Sequence, residues 1–208
     1  MKVLMVAQWY PPIVGGEELH VANLSRALVD RGHDVMVATL RQTGLPAEER
    51  RDGVRIVRLE GALQRIEGLF ADAGRRSAAP MPDPVLTAQL DRVVREWGPD
   101  VIHAHNWLVH AVAPIRAARG IPLVQTLHDF SLVCATKVLL RRGLACSGPG
   151  PLKCLACSAH HYGRLKGPVT ATANWGASVG LRHLVDLFIP VSRAVEAGTG
   201  VTGLPHRV

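Results

Sequence analysis

The chain has 208 residues and a formal net charge of +7, with 48% hydrophobic and 20% charged side chains. That is the balance of an ordinary globular protein of one large domain or two small ones, and not of a disordered chain. Its 20 glycines and 14 prolines follow no triplet period, which excludes collagen, and no apolar run approaches the ~20 residues that span a bilayer. The apolar start before Gln8 is too short for a secretory leader, so a cytoplasmic protein is expected.

The placement of charge says more than its sum. Residues 1–129 hold 15 basic and 15 acidic side chains, whereas residues 130–208 hold nine basic and two acidic ones together with all four cysteines. A basic segment suits an anionic membrane surface or a phosphorylated ligand. Nucleic acid is not an expected partner, because aromatic residues are 4% and no helix-turn-helix or RNA-recognition signature occurs.

Along the chain, residues 3–7 (VLMVA) form a short continuous apolar run, as in a strand buried on both faces. Residues 8–16 hold two prolines and two glycines and read as a loop. From Glu17 the pattern is helical, with Val21, Leu24 and Leu28 on one side and Gly32 just past the end. Strands are predicted over 34–40 and 54–59. Residues 61–84 read as a mobile excursion around a short helix. A helix follows from Asp83-Pro84 to about Trp97, then a strand over 101–105, a helix over 107–119 and a strand over 123–127. A helix near 168–185 and a strand over 187–191 close the series. Strands alternating with helices predict an α/β fold, a Rossmann-like doubly wound parallel sheet. Ligands bind such sheets beyond the carboxyl ends of the strands. That rule selects the 8–17 loop, 103–107, 128–129 and 190–193.

Four constellations carry the chemistry. Gly15-Gly16 lies between a strand and a helix, where backbone N–H groups and the helix dipole favour an oxyanion. Neither G-x-G-x-x-G nor a Gly-Lys-Ser/Thr loop is present, and a plain turn explains the glycines equally well. His103 and His105 share one face at a strand's end, which is also how a metal-dependent hydrolase begins its metal site. Such a hydrolase would draw further ligands from His128, Asp129 or Ser192. His128-Asp129 ends the next strand and offers an imidazole beside a carboxylate, although sequence neighbours on a strand point to opposite faces. The cysteines run Cys134-x11-Cys146-x7-Cys154-x2-Cys157. A structural zinc held by these four thiolates is the first reading, with His160 and His161 as substitute ligands. Free or redox-active thiols come second and an iron–sulfur cluster third. Lys137, Arg141, Arg142 and Lys153 would offset the charge of such a zinc site.

The segment Pro11-Pro12-Ile13-Val14-Gly15-Gly16-Glu17-Glu18-Leu19-His20-Val21, followed by Arg31-Gly32-His33-Asp34-Val35, resembles the opening of the retaining glycosyltransferase family 4. Pro99-Asp100-Val101-Ile102-His103-Ala104-His105-Asn106, Thr126-Leu127-His128-Asp129 and Phe188-Ile189-Pro190-Val191-Ser192 resemble three further segments of that family, in order. The stretch from Cys134 to Cys157 is similar to a cysteine-bearing insertion in a subset of its members. The resemblance implies a single acceptor-side domain over 1–208, the N-terminal half of a GT-B fold, with a Cys-rich insertion at 130–163 and the C-terminal donor domain absent. It implies transfer of a sugar, with retention, from a nucleotide-sugar donor to a sugar or lipid-linked acceptor. It also implies His128 as the active-site histidine, Gly15 and Gly16 at the donor phosphate, and His105, Asn106 and Asp129 on the acceptor side. No Asp-x-Asp occurs, so no catalytic metal is expected. The family's E-x7-E pair is missing too, so these residues alone are expected to be inactive. Two other readings compete: a hydrolase built on His103 and His105, and a non-enzymatic sugar- or phosphate-binding module. Peripheral contact with the inner face of an anionic membrane follows from charge alone.

Overall fold

The structure is a computed structural model that describes residues 1–66, 70 and 75–208. In chain order its elements are β1 (Lys2–Ala7), α1 (Gly16–Asp30), β2 (Asp34–Leu40), β3 (Glu48–Arg51), β4 (Val54–Leu59) and α2 (Pro84–Trp97). Then come β5 (Val101–His105), α3 (Val109–Arg119), β6 (Leu123–Leu127) and a small hairpin of β7 (Leu140–Arg141) and β8 (Leu144–Ala145). The chain continues through α4 (Pro151–Tyr162), α5 (Lys166–Leu184), β9 (Leu187–Pro190) and α6 (Arg193–Thr199).

Seven strands form one sheet in the order β3-β4-β2-β1-β5-β6-β9. Every neighbouring pair is parallel except β3 with β4. The six parallel strands therefore lie in the spatial order 3-2-1-4-5-6 of the Rossmann fold, and the winding reverses between β1 and β5. Side chains alternate across each strand. Val3, Met5, Val35, Val37 and Ile56 pack toward α1 through Val21, Leu24 and Leu28. Leu4, Val6, Met36, Ile102 and Ala104 pack on the other face against Leu86, Leu90, Val94, Val112 and Ile115 of α2 and α3. Helices on both faces explain why the strands read as unbroken apolar runs.

Two helix ends are written locally. The Asp83 carboxylate accepts the Val85 and Leu86 N–H groups ahead of Pro84, and Gly98 ends α2 at φ 64°. The α/β expectation and all six parallel strands are found in place. Five elements had no forecast. β3 is entirely charged (EERR), as befits a solvated edge strand. The β7–β8 hairpin, α4 and α6 also went unforeseen. The expected excursion at 61–84 contains a 3-10 turn at Leu63–Arg65, while 67–69 and 71–74 lie outside the described residues. Its described parts are tied to their surroundings. Gln64 Nε2 donates to the Ser77 carbonyl, the Leu63 N–H to Asp83, and the Ala78 N–H to Gln8 Oε1. Among the described residues no helix is long and apolar enough to cross a membrane.

Candidate functional site

The carboxyl ends of β1, β5 and β6 bring three of the four sequence constellations to the crevice at the winding reversal. β1 leads through the loop to Gly15-Gly16 and α1. Gly15 is in extended conformation and no side chain caps the helix behind it, so first-turn amides of α1 face outward as an anion would require. A Cβ on Gly15 would come within 2.2 Å of the Glu18 carboxylate, whereas one on Gly16 would meet nothing within 4 Å. The first glycine makes room for Glu18 and the second leaves the turn open.

Beside this turn, at the ends of β5 and β6, lies a stack of imidazoles. The His103 and His105 rings are 4.6 Å apart and nearly parallel, as two residues sharing one strand face should be. His103 Nε2 lies 2.7 Å from Thr126 Oγ1, and His105 Nδ1 lies 2.9 Å from His128 Nε2. His105 is fully buried, so it reaches the crevice only through His128. Burial is the first cause that pushes the His103 and His128 pKa values down to about 4, with neighbouring imidazoles adding to it; Asp129 opposes it at His128. For His105 burial again dominates and the direction is strongly downward. His103, His105 and His128 are therefore neutral at pH 7. The stack therefore brings no concentrated positive charge to this end of the sheet.

His20 completes the group. It sits one turn into α1, with its ring 5.1 Å from that of His128 and edge-on to it. In the sequence His20 stands inside the Pro11–Val21 segment with nothing that marks it as functional. Its position four residues after Gly16 puts it on the same helical face as that open turn, which is the signal that could have found it. Through His20 the glycine turn and His128 occupy one wall of the crevice.

Asn106 and Glu17 bracket this wall. Asn106 takes the left-handed region at φ 49°, which asparagine tolerates better than most residues. Its amide donates to Glu17 Oε2, and its carbonyl oxygen accepts from Ser131 Oγ at 3.3 Å. Burial raises the Glu17 pKa to about 8, with Lys137 opposing and Glu18 and Asp129 adding. A protonated Glu17 removes much of the repulsion that two first-turn carboxylates would present to a phosphate. Asp129 accepts the Ser131 N–H at 2.8 Å and acts on His128 only through space. His105, and not the adjacent acid, orients the His128 ring.

Lys137 comes from the cysteine-bearing insertion. Its ammonium lies 4.1 Å from the centre of the Trp107 ring. Burial lowers its pKa while Asp129 and Glu17 raise it. Lys137 is thus engaged with Trp107, Asp129 and Glu17 and not, as expected, with the cysteines. Four of the seven buried side-chain polar atoms without a partner among the described residues belong to Gln8, Trp9, Glu17 and His105. All four residues sit at this end of the sheet, so the protein's own hydrogen bonding is least complete there.

The remaining residues lie elsewhere. Cys134, Cys146, Cys154 and Cys157 are free and belong to the insertion. Ser192 caps α6 by accepting the Val195 N–H, so it is engaged away from any hydrolase site. His103 bonds Thr126 and His105 bonds His128, and neither Asp129 nor Ser192 joins them as a further ligand for the hydrolase reading. Among the described residues no three His, Cys, Asp or Glu side chains stand arranged to hold a metal ion.

Comparison with known proteins gives a consistent result. The chain is 34% identical over 140 residues to the glycogen synthase of Mycobacterium tuberculosis, a match of 62% of this chain and 33% of that protein. It is 32% identical over 143 residues to the D-inositol 3-phosphate glycosyltransferase of Acidothermus cellulolyticus, covering 64% and 31%. The chain thus spans about a third of the length of the curated relatives it matches. Among solved structures, sucrose-phosphate synthase from Thermosynechococcus elongatus shares the fold, with TM-score 0.66, 17% identity, 99% of this chain and 47% of that one. The catalytic domain of starch synthase IV from Arabidopsis thaliana does so at TM-score 0.53, 18% identity, 97% and 48%. The model of the glycosyl transferase 4-like domain matches residues 15–208, and the chain belongs to that family, with the fold of a GT-B N-terminal half.

Proposed function

We propose that these residues form the acceptor-side half of a retaining glycosyltransferase, with a nucleotide-sugar donor presented by a facing domain. The observation that carries this reading is the convergence of the uncapped glycine turn, His20 and His128 on one wall of the crevice at the winding reversal. The amides after Gly15 and Gly16 meet the donor's diphosphate, where negative charge grows as the glycosidic bond to phosphate breaks. With Nε2 held by His105, the neutral His128 ring turns Nδ1 toward the reacting sugar. Asn106, His105 and Asp129 act on the acceptor side by fixing α1, the His128 ring and the 129–131 turn, and no catalytic metal enters.

The hydrolase is not favoured, because among the described residues no third ligand joins His103 and His105 in an arrangement that could hold a metal ion. A sugar- or phosphate-binding module is separated from the transferase by turnover. Transfer is measured on residues 1–208 alone and on the same residues joined to a C-terminal donor domain. No turnover is expected from the first and robust turnover from the second, falling about a hundredfold or more in His128→Ala, the scale for losing one preorganised polar contact. Activity in residues 1–208 alone, or an active His128→Ala protein, overturns the reading.

The same reading extends to a cytoplasmic protein resting on the inner face of an anionic membrane and taking a sugar or lipid-linked acceptor there. Leu144, Leu152, Leu165 and Trp175 are between 67% and 86% exposed. Arg142, Lys153, Arg164 and Lys166 stand beside the three leucines in sequence, the pairing of apolar and basic groups that an anionic surface attracts.

A further inference from the structure

From residue 130 to residue 185 the chain holds seven lysines and arginines and not one aspartate or glutamate. Outside that stretch Arg55, Arg58, Arg92, Arg95 and Arg119 each pair with a nearby carboxylate. Arg141 and Arg142 are exposed, and among the described residues neither enters an ion pair. Two guanidinium groups on consecutive residues, with no acid to balance them, set up a local positive field that draws an anion.

The fold gathers this charge around one cavity. The β7–β8 hairpin pairs Leu140 with Ala145 and Arg141 with Leu144, and its turn at Arg142-Gly143 takes φ of 51° and 80°. Its base is held in place. The Cys146 N–H donates to the Leu139 carbonyl at 2.9 Å, and Cys157 Sγ of α4 lies 4.0 Å from the Leu140 carbonyl oxygen. α4 is fixed in turn on α5. Ser158 Oγ donates to the Gly167 carbonyl at 2.7 Å, and a Cβ on Gly167 would come within 2.3 Å of the Ser158 carbonyl oxygen, so the two helices meet backbone to backbone. His160 and His161 follow Cys157 by three and four residues and share its face of α4. Between hairpin and helix lies a cavity of about 540 Å³, lined among others by Arg141, Arg142, His160, His161, Val138 and Leu140. That size is in the range of small-ligand sites. Among the described residues no carboxylate lines it, and it shares no lining residue with the glycine turn or the imidazole stack.

We propose that this cavity binds a phosphate monoester, with the Arg141 and Arg142 guanidinium groups on its oxygens and the His160 and His161 imidazoles donating beside them. The planar guanidinium meets two phosphate oxygens at once and never loses its charge. A phosphate monoester carries about two negative charges at pH 7 and three acceptor oxygens, so it answers both arginines where a carboxylate would answer one. A cleft lined by one sign of charge raises the local concentration of such an anion. Val138 and Leu140, about half exposed in the same lining, offer apolar surface to whatever carries the phosphate, a soluble molecule or a lipid. Only the lipid-borne form rests on the membrane reading above. The phosphate site itself stands apart from that reading and from the transferase.

The test is an NMR titration of the 208-residue chain with glycerol 3-phosphate, against sodium chloride at matched ionic strength. Amides of the hairpin and of His160 and His161 should shift saturably, whereas a phosphate in the crevice would move the amides after Gly15. Arg141→Gln with Arg142→Gln should weaken the hairpin response about tenfold or more and leave any response in α1 unchanged. His160→Ala with His161→Ala alters the other wall and should weaken binding about threefold or more, which keeps the test open if the hairpin variant folds poorly. Vesicles of phosphatidylcholine containing phosphatidic acid identify the carrier. If the parent chain sediments with them and the arginine variant does not, the phosphate is lipid-borne. If sedimentation is absent, or survives in the arginine variant, the carrier is soluble. Hairpin shifts that chloride reproduces, shifts confined to the first turn of α1, or an arginine variant that binds glycerol 3-phosphate as the parent does would each overturn the proposal.

Discussion

At the scale of single residues, Glu17 shows how position overrides composition. Its sequence neighbours mark it as an ordinary first-turn carboxylate, but the crevice buries Oε1 without a partner and raises its pKa to about 8. The folded chain therefore keeps a proton that the unfolded chain gives up above about pH 4.3. Stability must fall as pH rises from there to about 8, by up to about 1.4 kcal/mol per pH unit from this group. Glu17→Gln is neutral throughout and can still accept from Asn106. Its thermal midpoint should overtake that of the parent chain progressively between pH 5 and pH 8. Parallel curves would show that Glu17 ionises normally.

At the scale of elements, the start of α1 separates stability from function. Gly16→Ala places a methyl in open space and replaces glycine by a better helix former, worth up to about 1 kcal/mol. Urea unfolding should find it at least as stable as the parent. If the turn receives the donor's diphosphate, the same methyl obstructs it, and turnover with a donor domain attached should drop about tenfold or more. Gly15→Ala instead displaces the Glu18 carboxylate and should lower stability. An active Gly16→Ala protein would remove the turn from the donor site. α4 and the small hairpin teach a complementary lesson. Their sequence is dominated by glycine, proline and cysteine with weak periodicity, so propensity could not forecast them. The left-handed pair Arg142 and Gly143, at φ 51° and 80°, is the kind of turn that makes a two-residue hairpin.

At the scale of the whole molecule, charge and exposure are distributed unevenly. The basic excess and the three most exposed leucines, Leu144, Leu152 and Leu165, lie beyond residue 129. Residues 1–208 should sediment with vesicles rich in anionic lipid and not with neutral vesicles, and salt should weaken the association. Leu152→Asp with Leu165→Asp should abolish it without unfolding the chain, as both residues are over 80% exposed. Equal binding to neutral vesicles would assign those side chains to another partner.

The sequence by itself determined the sheet, because strands covered by helices on both faces need unbroken apolar runs and leave a strong local signal. It also determined which loops sit at the carboxyl ends, and hence Gly15-Gly16, His105-Asn106 and His128-Asp129 as one neighbourhood. Only the tertiary structure decided who touches whom there. That His105 orients His128, that His20 closes the stack, that Asn106 ties α1 to Ser131 and that Lys137 leaves the cysteines for Trp107 are contacts across 20 or more residues of chain. Hydrophobic periodicity is a local property. The protonation of a carboxyl or an imidazole depends on everything packed around it, and packing is settled only when the chain has closed.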